Sequence, residues 1–252
     1  MTDVNSFFSF KNSVEQLSDS DTAQLSNYIE AIIAFTRTTN KSIYVIDYEK
    51  KGFEYVSDNP LFLCGHSAQA VLEMGYEFYF KHVPAEDLKL LLKINTIGFD
   101  FFEQIPLQER KEYTISYDFL LKTGEGKLLL INQKLTPLFL TEKGKIWKAL
   151  CIVSLSTKQG SGNITIHKNG SNQKFKYDLE GSFWSTRDKI ELSDREKEIL
   201  QYSIRGYSIN EIAEKAYISP DTVKFHRRKL FAKLDVANIS EAISYANVNS
   251  LI

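Results

Sequence analysis

The most constraining feature of this sequence is three helix starts at short, fixed spacing near its C terminus. Ser193, Ser208 and Ser219 each precede a run of apolar residues at helical period. Ser193 and Ser208 are each followed three residues on by glutamate, Glu196 and Glu211. That is the pattern of a capping box, in which hydroxyl and carboxylate each satisfy an amide the helix leaves open. Ser219 is followed by Pro220, whose fixed φ suits a first helical position. Only Tyr217 and Ile218 separate the second helix from the third cap. The core-facing residues are Ile199, Leu200 and Ile204 on the first helix, Ile209, Ile212, Ala213 and Ala216 on the second, and Val223, Leu230 and Leu234 on one face of the third. A fourth helix is predicted from Ser240, with Ala242, Ile243, Ala246 and Val248 as its apolar stripe.

Charge then separates the third helix from the rest. The whole chain of 252 residues has a formal net charge of −1, so it is no general polyanion binder. Between residues 219 and 234, however, Lys224, Arg227, Arg228, Lys229 and Lys233 face a single acid, Asp221, a local charge of +4. A basic second helix braced by a first is what major-groove reading requires, because the groove admits one helix and its base edges carry a distinct hydrogen-bonding code.

These residues carry a family resemblance. The segments LSDREKEIL, GYSINEIAEKAYISPDTVKFHRRKLFAKLDV and SEAISYA closely resemble the LuxR-type helix-turn-helix domain. The resemblance implies an all-α four-helix domain over residues 187–252 that binds double-stranded DNA as a homodimer, with the fourth helix helping to pair the subunits. It implies that helix 219–234 is the recognition helix and that Lys224, Phe225 and Arg228 lie against base edges. Ser219, Thr222, Arg227 and Lys229 are then candidates for phosphate contacts. Asp235 stands where the family often has glycine, and aspartate tolerates the left-handed backbone better than most residues.

The rest of the chain reads as α+β. An amphipathic helix is predicted over 19–37, with Leu25, Ile29, Ile32 and Phe35 or Thr36 at helical spacing, in an N-terminal segment 1–40. Strands are predicted at 42–47 and 53–56, and a short helix at 67–74 between Ser67 and Gly75. A second helix is predicted from Pro84, then strands at 113–121, 127–136 and 146–156 parted by glycine-bearing turns. This order gives an antiparallel sheet with helices. Residues 41–157 resemble the PAS family of sensor domains, through SIYVIDYEKKGFEYVSDN, FKHVPAEDL and the three-strand meander. Residues 158–186 read as a linker carrying a β-hairpin, 163–168 and 173–177 around Asn169-Gly170, with Phe183 and Trp184 anchoring its end.

PAS domains hold haem, flavin or small metabolites, and the sequence assigns none of them here; a small-molecule effector and a purely dimerising module both stay open. His66 and His82 read as structural rather than as haem ligands. The surroundings of Cys64, LFLCGHSAQA, do not match a flavin photosensor. No metal-ligand spacing, P-loop, GxSxG or dinucleotide glycine pattern is present, which argues against an enzyme. Two distant cysteines, no basic apolar leader and no long apolar run predict a cytoplasmic chain without a membrane span.

Overall fold

The computed structural model describes residues 3–14, 17, 28–248 and 251. It divides into two compact units, residues 1–187 and 188–252.

The N-terminal unit is built on one antiparallel sheet of eight strands. They are β1 (Ser42–Asp47), β2 (Gly52–Val56), β3 (Tyr113–Lys122), β4 (Leu128–Leu140), β5 (Ile146–Leu155), β6 (Gly162–Lys168), β7 (Gln173–Asp178) and β8 (Phe183–Asp188). Their order across the sheet is β2-β1-β5-β4-β3-β6-β7-β8. Between β2 and β3 run the helices α2 (Pro60–Leu63), α3 (Ala68–Met74), α4 (Glu77–His82) and α5 (Ala85–Glu103). The first five strands and these helices give the α+β, PAS-like arrangement expected.

Local chemistry accounts for most boundaries. Ser67 caps α3 by accepting from the Ala70 amide, and Gly75 closes it. Pro84 stands at the N-cap of α5, just outside the helix, with Glu86 and Asp87 in the first turn where the helix dipole favours acids. Asp87 is buried and ties α5 to the sheet: its Oδ2 accepts from the Leu120 amide and the Ser161 hydroxyl, both at 2.6 Å. The β3–β4 turn is held closely too. A Cβ on Gly124 would lie 2.9 Å from the Cys64 carbonyl oxygen, so only glycine lets the two backbones approach.

The region 158–186 is not a free connection. It holds the expected hairpin, but β6 pairs along β3, with Ile115 opposite Ile166, so the hairpin continues the sheet. Phe183 and Trp184 open β8 rather than ending a loop. Trp184 packs on Tyr177 and Phe101, while Phe183 is exposed.

The N-terminal helix α1 spans Tyr28–Thr36; the part of the expected helix before Tyr28 lies outside the described residues. None of its side chains is fully buried, although its sequence YIEAIIAFT is strongly apolar. It is fastened by a ring contact of Tyr28 on Phe139, with centroids 4.9 Å apart, and by polar contacts. The Tyr28 hydroxyl donates to Glu54, and Thr36 Oγ1 lies 3.3 Å from the Tyr55 hydroxyl. Glu54 belongs to a buried charge cluster in which Lys148 Nζ reaches Asp47 at 2.6 Å and Glu54 at 2.7 Å.

Between α5 and the sheet lies a cavity of about 80 Å³. Its walls are apolar and aromatic, and Gly98 of α5 lines it while packing on Ile115. Among the described residues no helix is long and apolar enough to cross a membrane.

The C-terminal unit contains four helices among its described residues: α6 (Asp194–Ile204), α7 (Ile209–Lys215), α8 (Pro220–Leu234) and α9 (Ile239–Val248). Ile199, Ile212, Ala213 and Val223 form one small core. Leu192, Leu200, Leu230, Leu234, Ala242, Tyr245 and Ala246 form the other.

Candidate nucleic-acid interface

The two capping boxes form as the sequence predicts. Ser193 and Glu196 exchange bonds at 2.9 and 3.3 Å, and Ser208 and Glu211 at 2.8 and 3.4 Å. Glu196 does more than cap. Its side chain is 5% exposed and also accepts from Lys233 Nζ at 2.7 Å, which joins the start of α6 to the end of α8. Burial pushes its pKa up, but the Lys233 ammonium and the Ser193 amide outweigh that and hold it below the usual carboxylate range.

The turn between α7 and α8 is set by Tyr217, whose φ of 54° puts a bulky residue in the left-handed region. The Ile218 amide then donates to the Ala213 carbonyl at 3.0 Å, satisfying the end of α7. Ser219 accepts from the Thr222 amide at 3.1 Å and α8 begins. It ends at Asp235 with φ 55° and ψ 57°, the left-handed cap that glycine often supplies.

Val223, Leu230 and Leu234 are buried, so the opposite face of α8 is fixed toward solvent. That face carries Asp221, Lys224, Phe225, Arg228 and Lys229. Phe225 is 47% exposed, with the Lys229 ammonium 4.9 Å from its ring centre. Lys224 forms an exposed ion pair with Asp221 at 3.1 Å. Among the described residues Arg228 has no hydrogen-bond or ion-pair partner. Ser219 and Thr222 sit at the exposed start of the helix with their hydroxyls 2.8 Å apart. Arg227 is only half exposed and lies over the Phe231 ring at 5.7 Å. The structure therefore brings Lys224, Phe225, Arg228 and Lys229 together on one surface and sets Arg227 to its side. The local charge of +4 is less free than the sequence suggests, since Lys233 is held by Glu196 and Lys224 by Asp221.

The fourth helix departs from expectation in two ways. Its cap is Asn238, not Ser240: the Asn238 side-chain oxygen accepts from the Glu241 amide at 3.0 Å, and its Nδ2 donates back to Glu241 at 2.7 Å. Ala242 and Ala246 are completely buried in the unit's own core, against Leu200, Leu230 and Leu234. That pair cannot serve as a subunit seam, because the unit's fold consumes it. Ile243 is half-buried, and Glu241, Ser244 and Asn247 face outward.

The candidates in the N-terminal unit are structural in their bonding. His82 Nδ1 lies 2.9 Å from the Lys122 carbonyl oxygen, so it carries a hydrogen and its Nε2 is an acceptor. His66 Nε2 is 3.0 Å from that Nε2 and donates to it. The pair links α4 to β3. Cys64 is buried, and burial pushes its thiol up to about 11, away from the reactive thiolate. What the sequence reading missed is Gln133, which lies among the apolar residues lining the cavity. The signal was available: in β4, Ile131, Gln133 and Leu135 alternate toward the core, and glutamine is the odd member.

A tight helix pair with a solvent-facing, cationic second helix is a helix-turn-helix, a DNA-binding module. Residues 191–246 match the family model of bacterial regulatory proteins of the LuxR family. The C-terminal unit is a LuxR-type helix-turn-helix domain. Over this region the chain is similar to the CsgBAC operon transcriptional regulatory protein of Escherichia coli strain K12, with 44% identity over 66 residues, 26% of this chain and 31% of that protein. It is also similar to the oxygen regulatory protein NreC of Staphylococcus haemolyticus, 39% identical over 69 residues, 27% of this chain and 32% of that protein. The chain thus spans about a third of the length of the curated relatives it matches. Among solved structures, the response regulator ChrA of a heme-sensing two-component system is 41% identical over 26% of this chain and 33% of its own, with a TM-score of 0.25. VqmA of Vibrio cholerae, described as a LuxR-type receptor, aligns over 90% of this chain and 89% of its own at 18% identity and a TM-score of 0.35.

Proposed function

We propose that this chain is a cytoplasmic, non-enzymatic transcription regulator that binds double-stranded DNA as a homodimer. Its recognition helix α8 enters the major groove, and its PAS-like unit controls that binding in response to a signal. The observation that carries the reading is the solvent face of α8, where Lys224, Phe225, Arg228 and Lys229 stand together. Lys224 and Arg228 are one turn apart and suit base edges, while Lys229 and the hydroxyls of Ser219 and Thr222 suit the flanking phosphates. Arg227, turned toward Phe231, suits a phosphate at the rim of the site.

A single recognition helix reads few base pairs, so selectivity calls for two copies on a two-fold site. The pairing surface is α1, whose apolar residues are only partly buried within their own unit and whose Phe35 is exposed; Ile29, Ile32 and Phe35 are the residues to test. Sedimentation of the full chain at micromolar concentration is expected to give a dimer, and Phe35→Asp to shift it toward monomer. Fluorescence anisotropy on duplex DNA across a salt series is expected to show affinity falling steeply, with Lys229→Ala flattening the slope by about one unit. A monomer with unchanged tight DNA binding refutes the dimeric reading, and an unchanged slope removes Lys229 from the contact set.

A further inference from the structure

Three helices of the C-terminal unit are followed by a residue in the left-handed region, and the three positions are filled differently. Gly206 follows α6 with φ 81°, Asp235 follows α8 with φ 55°, and Tyr217 follows α7 with φ 54°. Glycine adopts this backbone freely and aspartate tolerates it, but a bulky aromatic residue is disfavoured there. Packing does not offset that cost. Tyr217 is 95% exposed. Among the described residues its ring meets no other ring or cation, and its hydroxyl has no hydrogen-bond partner. The chain around it is nonetheless pinned. The Tyr217 amide donates to the Glu214 carbonyl at 3.2 Å and the Ile218 amide to the Ala213 carbonyl at 3.0 Å, while Ile218 packs on the small core. The ring is therefore held out in solvent at a fixed place.

A disfavoured backbone that presents an unsupported ring to solvent points to work on something outside the chain. The position indicates what. Ser219, the cap of α8, is two residues on, within about 7 Å along the chain. Tyr217 thus belongs to the turn that starts α8, ahead of the Lys224, Phe225 and Arg228 face. A group there borders the groove that α8 enters and meets the strand along its edge rather than the base edges within it. The exposed residues on either side in the chain, Glu214, Lys215, Ser219, Pro220 and Asp221, are mostly polar, so the ring is not the centre of an apolar run of the kind a protein partner covers. A phenol suits the edge of the groove: its ring can lie on a deoxyribose while its hydroxyl donates to a phosphate oxygen.

We propose that Tyr217 is a DNA-backbone contact, its hydroxyl donating to a phosphate oxygen of the strand that flanks the half-site and its ring lying on the adjoining sugar. This rests on the reading of α8 as a recognition helix, and it adds an uncharged contact that fixes how α8 enters the groove. Such a contact has a signature that lysine and arginine lack. It neutralises no phosphate and releases no counter-ion, so it changes affinity without changing the salt slope. It also carries no direct sequence information.

The test uses the full chain and duplexes that the wild-type protein selects from a random pool. Tyr217→Phe keeps the ring and removes the hydroxyl. Fluorescence anisotropy is expected to show it binding roughly 10-fold more weakly, with the salt slope and the selected preference of the wild type. Tyr217→Gly removes the ring as well and relieves the backbone. It is expected to bind more weakly still, while the melting temperature of the helical unit, read at 222 nm, stays at or above the wild-type value. Wild-type affinity in Tyr217→Phe overturns the proposal and leaves the ring to a protein partner or to none. A slope altered by about one unit, or a preference lost at one position, overturns it as well. So does a lower melting temperature in Tyr217→Gly, which makes the ring part of the fold. A wild-type protein that binds no duplex refutes the reading of α8 itself, and this proposal with it.

Discussion

Replacing Glu196 by alanine is expected to destabilise the C-terminal unit far more than the same change at Glu211, although both occupy the same place in a capping box. Glu196→Ala removes a charged acceptor from the Ser193 amide, about 1 kcal/mol. It also removes the ion pair with Lys233, about 0.5 kcal/mol once the lysine's 38% exposure is allowed for. Loss of a buried methylene adds about 0.8 kcal/mol. Together these come to about 2 kcal/mol, or roughly 8–16 °C in Tm for a unit of this size. Glu211 is exposed and bonds only within its box, so its variant is expected to shift Tm much less. The two units are told apart optically. Trp147 and Trp184 both lie in the N-terminal unit, so a transition seen at 222 nm but not in tryptophan fluorescence belongs to the helical unit. The Glu196 contribution also has a defined pH course. Its folded pKa is depressed, so the stabilisation is complete above the ordinary carboxylate value near 4.5 and is lost as pH falls through the lowered one. Equal Tm shifts for the two alanine variants would refute the claim that Glu196 links α6 to α8.

Arg228→Ala is expected to relax sequence choice at one position, at roughly 1–3 kcal/mol of discrimination, in a selection from random duplexes; uniform weakening with an unchanged preference makes it a backbone contact. Burial depresses the pKa of His82, so its neutral form contributes stability that is fully present above about 6.5 and declines as pH drops below it. His82→Gln should remove that step from the pH dependence of tryptophan-detected unfolding, and a step of undiminished size assigns it elsewhere. Gly124→Ala is expected to destabilise the N-terminal unit by about 1–3 kcal/mol in denaturant titration, because both backbones at that contact must move. A neutral result would show that the β3–β4 turn yields freely.

What the sequence made legible was local. The strand at Ser42–Asp47, the helix between Ser67 and Gly75, and the starts at Ser193, Ser208 and Ser219 are written in neighbouring residues, and the structure has them in place. What escaped depends on partners distant in sequence. β6 becomes part of the sheet because Ile166 meets Ile115, and nothing within 158–186 reveals that pairing. α4 is six residues long and too short to show a period. The exposed face of α8 was legible from the burial of Val223 and Leu230, but not the capture of Lys233 by Glu196 from another helix. The apolar stripe on α9 was visible as a stripe; that Ala242 and Ala246 face inward follows only from the helices around them.

The buried pair of Asp47 and Lys148 has a consequence for how the sheet is assembled. All six residues of β1 are buried, so both faces of the strand are hidden and apolar patterning alone does not tell one alignment from another. Sliding β1 by two positions along β5 would keep every side chain on its face and most of the greasy surface covered. Asp47 lies directly opposite Lys148, however, and that coincidence exists in one alignment only. A slipped sheet would part the buried ammonium group from Asp47, the more deeply buried of its two carboxylate partners. The ion pair thus acts as a proofreading mark, and its value lies less in strengthening the finished fold than in making the near-misses intolerable.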